Sequence, residues 1–221
     1  VTTHTKETRP DRGLRLVPVL LALTTVSGLI DAVSYLGLGH VFTANMTGNV
    51  VVLGFAAAGA PGFSVPHTLT SLVAFMIGAA VGGRIALSLG QGARRTWVRR
   101  TLTAEALLLA ASTVVAFAAP DDTATVYTLI AVTAFAMGLR NATVRKLGVA
   151  DLTTTVLTMT LTGLAADGPG TRRARRTAAV AAMIAGAALG AWLVVHHDLG
   201  VPLLVSTVVV GVLAVVASGR E

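Results

Sequence analysis

Apolar runs divide the chain into eight segments: 16–36, 45–60, 68–89, 102–119, 123–141, 153–166, 177–195 and 201–218. No Asp, Glu, Lys or Arg stands between Ala32 and Gly83, and Thr123–Leu139, Thr177–His197 and Leu199–Gly219 are equally free of them. A helix that crosses a bilayer needs about 20 mostly apolar residues, so the longer runs predict transmembrane helices. The two short runs, 45–60 and 153–166, each follow sequence that forms helix poorly. One is preceded by Gly37-Leu38-Gly39-His40-Val41-Phe42-Thr43, the other by Gly148 to Thr155 with three consecutive threonines.

The charges that remain fix a topology. Arg94, Arg95, Arg99 and Arg100 follow the third run, and Arg172, Arg173, Arg175 and Arg176 follow the sixth. The connections 61–67, 120–122 and 196–200 hold no Lys or Arg. Basic residues stay on the cytoplasmic side, which puts the N-terminus, 90–100, 168–176 and Arg220 inside and the other three connections outside. An odd number of crossings must then separate Arg15 from Pro61, and Asp121 from Arg172, although two apolar runs lie within each interval. One run of each pair is therefore re-entrant or broken, and the short runs 45–60 and 153–166 fit. The expected fold is all-α: a polytopic membrane helical bundle with six crossings and two re-entrant helices. Residues 1–15 read as a disordered cytoplasmic tail. No small-x-small cleavage site follows the first run, so that run reads as an uncleaved helix.

Composition agrees with this reading and excludes others. Only 12% of the 221 residues are charged and 54% are hydrophobic, against about 25% charged in a soluble domain. The net charge of +7 sits in short clusters between apolar runs, and aromatic residues make up 5%. This is a topology signal, and no nucleic-acid partner is expected. The absence of cysteine removes disulfides, thiolate catalysis and cysteine-held metals.

The two halves resemble one another. An offset of 110 or 111 lays Gly28-Leu29-Ile30-Asp31-Ala32 on Gly138-Leu139-Arg140-Asn141-Ala142, Leu36-Gly37 on Leu147-Gly148, and Met46-Thr47-Gly48-Asn49 on Leu157-Thr158-Met159-Thr160. An offset of 108 lays Gly78-Ala79-Ala80-Val81-Gly82 on Gly186-Ala187-Ala188-Leu189-Gly190. With three crossings in each half, 16–119 and 120–221 become a 3+3 inverted repeat, an arrangement that many secondary transporters use to build a site at the repeat interface.

The stretch from Ser27 to Asn49, with its pattern G-x-x-D-A, then L-x-L-G-x-V-F, then A-N-M-T-G-N, closely resembles the signature of the YoaK family of bacterial integral membrane proteins, a domain of unknown function. Gly138–Ala142, followed by Arg145, Lys146, Leu147 and the threonine run, is similar to the family's second half. Arg140 stands where the family usually has Gln, and Met159 where it has Gly. The resemblance implies a six-span protein of the bacterial inner membrane and supplies no substrate or activity.

Asp31 is the only acidic residue between Asp11 and Glu105, and an intramembrane carboxylate costs at least about 2.5–3.5 kcal/mol. It reads as a cation or proton site; the alternatives are an ion pair with Arg140 that locks the halves together, or a carboxylate close to the outer headgroups. Asn45, Thr47, Gly48 and Asn49 open the run 45–60, where a helix start can bind a ligand or merely cap itself. Thr158 and the run Thr153, Thr154 and Thr155 are their counterparts, with Arg140 and Asn141 opposite Asp31. Glu105 reads as an interfacial partner of Arg99 and Arg100. His196-His197-Asp198 reads as a solvated edge, and no metal or cofactor is expected. The Gly/Ala ridges at 78–83 and 186–190 read as packing faces, for helices of this chain or of a second copy. With no catalytic motif, the reading is a small secondary transporter or channel-like permease for a small solute or ion. The alternative is a structural or regulatory membrane protein without transport.

Overall fold

The structure, a computed structural model, describes residues 16–88, 94–120, 122–148, 157–168 and 170–216. They form eight helices: α1 (Leu16–Gly37), α2 (Met46–Ala57), α3 (Val65–Ser88), α4 (Arg94–Ala118), α5 (Thr123–Leu147), α6 (Leu157–Ala166), α7 (Thr171–His196) and α8 (Gly200–Val216). The tail 1–15, the threonines 153–155 and Arg220 lie outside the described residues.

Helix length separates what can cross from what cannot. Five helices, α1, α3, α4, α5 and α7, are long and apolar enough to span a bilayer. The 12 residues of α2 give about 18 Å of helix at 1.5 Å per residue, well short of a hydrocarbon core of about 30 Å. The 10 of α6 give about 15 Å. The 17 residues of α8 stand at the lower limit for a span. Large apolar side chains such as Val73, Met76, Leu107, Val114, Ile184 and Val195 face outward, as they do when the outer medium is lipid.

Hydroxyls that enter the bundle satisfy themselves on their own helix. Thr24, Ser27, Thr113, Thr133 and Thr143 each donate to the carbonyl four residues back, at 2.5–3.0 Å. Away from water this removes the cost of an unpaired donor.

Glycines let two helix pairs approach closely. On α7, a Cβ at Gly186 would collide with the carbonyl oxygen of Thr25, and one at Gly190 would stand 2.7 Å from that of Leu29. On α3, a Cβ at Gly78 would collide with the carbonyl of Phe135, and one at Gly82 would stand 2.9 Å from that of Leu139. The numbers rise together in both cases, so α1 runs parallel to α7 and α3 parallel to α5. By contrast α8 runs antiparallel to α4, with Gly200 against Phe117 and Thr207 Oγ1 3.2 Å from Thr113 Oγ1. These three pairings are the most extensive in the molecule. All run between 16–119 and 120–221, so one core serves both halves.

One expectation needs correction. The fourth and seventh helices begin well before the apolar runs that signal them, because the basic clusters Arg94–Arg100 and Arg172–Arg176 are themselves helical. Trp97 and Val98 of the first cluster are buried. The Gly/Ala ridges are packing faces, as their sequence suggests, and they serve helices of this chain: Gly78 and Gly82 against α5, Gly186 and Gly190 against α1.

Candidate functional site

The chain breaks after α1 because it cannot stay helical there. Gly39 has φ +84° and His40 φ +59°, and Gly37 leaves room only for Leu199. His40 Nδ1 lies 3.0 Å from the carbonyl oxygen of Gly62, tying the turn to the loop before α3. The returning strand of chain is clasped at Phe42. Its N–H donates to Asn49 Oδ1 at 2.8 Å, and its carbonyl accepts from Asn49 Nδ2 at 2.5 Å and from Ser71 Oγ at 2.6 Å. Tyr35 stacks on the Phe42 ring with centroids 4.8 Å apart. Gly48 has no side chain because the Phe42 ring occupies its place: a Cβ would lie 2.6 Å from Cδ2.

This clasp delivers three backbone N–H groups to Asp31. Its Oδ1 accepts from Thr43 at 3.1 Å, Ala44 at 2.8 Å and Asn45 at 3.3 Å. Asn45 in turn caps α2, its Oδ1 accepting from the N–H of Gly48 at 3.4 Å. A carboxylate at the positive end of a helix is favoured both by direct hydrogen bonds and by the helix dipole. All of Asp31's bonds fall on Oδ1; among the described residues Oδ2 takes none.

Asp31 is 8% exposed, and it lines a cavity of about 580 Å³. From α1 come Gly28, Asp31, Ala32, Tyr35 and Leu36, and from the break and α2 Phe42, Asn45, Thr47, Gly48 and Val51. From the other half come Leu157, Thr158 and Leu161 of α6 and Met183 and Ala187 of α7. The first turns of both short helices thus face one space, beside a carboxylate.

Of the residues singled out in the sequence, Asp31, Asn45, Thr47, Gly48 and Thr158 meet at this cavity, and Asn49, Arg140 and Asn141 do not line it. Asn49 is fully buried, holding Phe42 and Ser71. Arg140 does not pair with Asp31. Its Nε donates to Glu105 Oε1 at 2.8 Å, Nη2 bonds the same oxygen, and Nη1 donates to Leu23 O at 3.0 Å and Ser27 Oγ at 2.9 Å. Asn141 follows it on α5, half-buried. Glu105 is not interfacial: it is 0% exposed, inside the bundle. The signal for this pair was present, since Glu105 and Arg140 are the sole charges in the runs 102–119 and 123–141. Ser71, a member of the clasp, had no signal beyond being one more hydroxyl in an apolar run.

Helices of this length and apolar surface, packed around buried ionic groups, define a polytopic helical membrane protein. The chain belongs to the family described as "Protein of unknown function (DUF1275)", whose profile matches residues 19–216. It is also similar to the UPF0700 transmembrane protein YoaK of Bacillus subtilis (strain 168), with 37% identity over 151 residues. That match covers 67% of this chain and 64% of the relative, slightly less than two thirds of the relative's length. The resemblance read from Ser27–Asn49 is therefore correct. No solved structure matches the chain.

Proposed function

We propose that this protein is a small secondary transporter or channel-like permease of the bacterial plasma membrane, not an enzyme, with both ends in the cytoplasm. Its 16–119 and 120–221 halves form an inverted repeat with α8 as the sixth crossing. The observation that carries the reading is the double role of Asp31: Oδ1 holds the start of α2, and Oδ2 is left for the cavity that α2 shares with α6.

The repeat is supported by corresponding contacts. Gly28 packs on Met183 and Ala187, and Gly138, at an offset of 110, packs on Phe75 and Ala79, at an offset of 108 from them. The pairs Gly186–Thr25 and Gly78–Phe135 correspond in the same way. The parallel course of α1 with α7 and of α3 with α5 fits the topology drawn from the basic clusters.

One observation favours the rival reading of a structural protein, namely the three N–H groups that Asp31 ties down. Two substitutions separate these roles. Asp31→Asn keeps an oxygen for the three donors, so insertion and folded yield stay near wild type. Asp31→Ala leaves them unsatisfied in an apolar setting and lowers the folded yield severalfold, at about 1–3 kcal/mol for each buried group left unpaired. In dye-loaded proteoliposomes challenged with small solutes, Asp31→Asn abolishes the ion-coupled flux of wild type. An Asp31→Asn variant with unaltered flux contradicts the proposal.

A further inference from the structure

We infer that the cavity beside Asp31 takes an amphiphilic organic cation, an ammonium or related group on an apolar body, that enters sideways from the bilayer. This inference rests on the permease reading and names its class of substrate.

The lining decides the charge. Asp31 is the only ionisable carboxylate there, and no Lys or Arg is among the described lining residues. Four of the donors around the start of α2 are already engaged: those of Thr43, Ala44 and Asn45 by Asp31, and that of Gly48 by Asn45. An anion would meet a carboxylate with no counter-charge, whereas a cation meets its free oxygen in a setting of low dielectric, where attraction is strong.

The rest of the lining decides the body. Beyond Asp31, the oxygens of Asn45, Thr47 and Thr158 are few and scattered. A bare alkali or alkaline-earth ion asks for about six oxygen ligands, and the described residues hold no cluster of three metal-ligating side chains. Most of the wall is hydrocarbon, from Val51, Leu157, Leu161 and Met183 to the rings of Tyr35 and Phe42. Such rings attract organic cations through their faces. A cavity of about 580 Å³ falls within the usual range for small-molecule sites, about 300–1,000 Å³.

The route follows from exposure. Leu36, Val51 and Leu161 line the cavity yet are each half-exposed, at 50%, 52% and 52%. All three stand on helices whose outer surfaces are apolar, so the wall they form opens toward acyl chains. A ligand with an apolar body is already concentrated in that medium.

The test uses the full chain in neutral detergent, with thermal unfolding as readout. The probes are n-octylammonium and tetraphenylphosphonium, with n-octanol and n-octyl sulfate as controls of matched apolarity. A saturable rise of several degrees is expected for both cations and for neither control, because a ligand of the folded state stabilises it by mass action. Asp31→Asn abolishes the rise. Val51→Trp, which fills the cavity from its lipid-facing wall and leaves the Asp31 hydrogen bonds in place, abolishes it as well. Equal stabilisation by octanol, or cation stabilisation that survives both substitutions, overturns the inference. Stabilisation by sodium or potassium alone, lost in Asp31→Asn, overturns the organic class while leaving a cation permease standing. A response to none of these ions that depends on Asp31 removes the site itself.

Discussion

Glu105→Gln is expected to cost about 3–5 kcal/mol, because it leaves the guanidinium of Arg140 charged and unpaired in the bundle interior. Arg140 is 1% exposed and Glu105 0%. The remaining partners, Leu23 O and Ser27 Oγ, are neutral acceptors that cannot balance a full charge. Arg140→Gln fails for the converse reason, stranding a carboxylate whose Oε2 already lacks a hydrogen-bond partner among the described residues. Removing both charges behaves differently. Glu105→Met with Arg140→Met keeps the volume apolar, and Ser27 retains its bond to Leu23 O at 3.0 Å. Replacing a buried ion pair with packed apolar groups is often neutral or better, so the double variant regains most of the folded yield. Monodisperse yield from size exclusion, with denaturant titration of whatever folds, measures all three. A Glu105→Gln protein as stable as wild type contradicts the pairing.

The glycine crossings carry the second large effect. Gly78→Val and Gly186→Val each drive a side chain into the backbone of the facing helix, at Phe135 and Thr25. Overpacking a core costs about 1–3 kcal/mol where side chains can shift, and here the obstacle is main chain, so both variants fall at or beyond the top of that range. Gly83→Ala is the control: nothing lies within 4 Å of the added Cβ, and alanine forms helix better by about 1 kcal/mol. If the halves are an inverted repeat, Gly78→Val and Gly186→Val lose similar stability. Unfolding midpoints for the three variants check this, and a near-neutral Gly78→Val beside a ruinous Gly186→Val contradicts the symmetry.

What could be read from the sequence follows from where charge is expensive. Asp31 was legible because an isolated carboxylate in an apolar run needs a partner, and the poor helix of Gly37–Thr43 could supply one. The structure supplies three N–H groups from Thr43 to Asn45. The partner of Arg140 was misread because the offset that aligns the halves sets Arg140-Asn141 on Ile30-Asp31. Equivalent positions of a repeat correspond without needing to touch. Arg140 instead finds Glu105 across the bundle, a contact fixed by the packing of α4 on α5. The starts of α4 and α7 were misplaced for a related reason. An apolar run marks the part of a helix that lipid covers, while arginines can extend the same helix beyond it. Asn45 was legible as a cap. The clasp of Asn49 and Ser71 on Phe42 was not, since it depends on the position of a loop that only tertiary packing defines.

The claim that the cavity serves transport can be tested without knowing the substrate, because the chain has no cysteine. Thr47→Cys and Thr158→Cys place one thiol from each half in the wall of the cavity. A membrane-impermeant maleimide is applied to right-side-out and to inside-out vesicles holding each variant. Alternating access to one shared site predicts that both thiols are modified from both sides. Thiols that react from neither side, or from the same single side at both positions, would contradict the account and leave a structural membrane protein with a sealed centre.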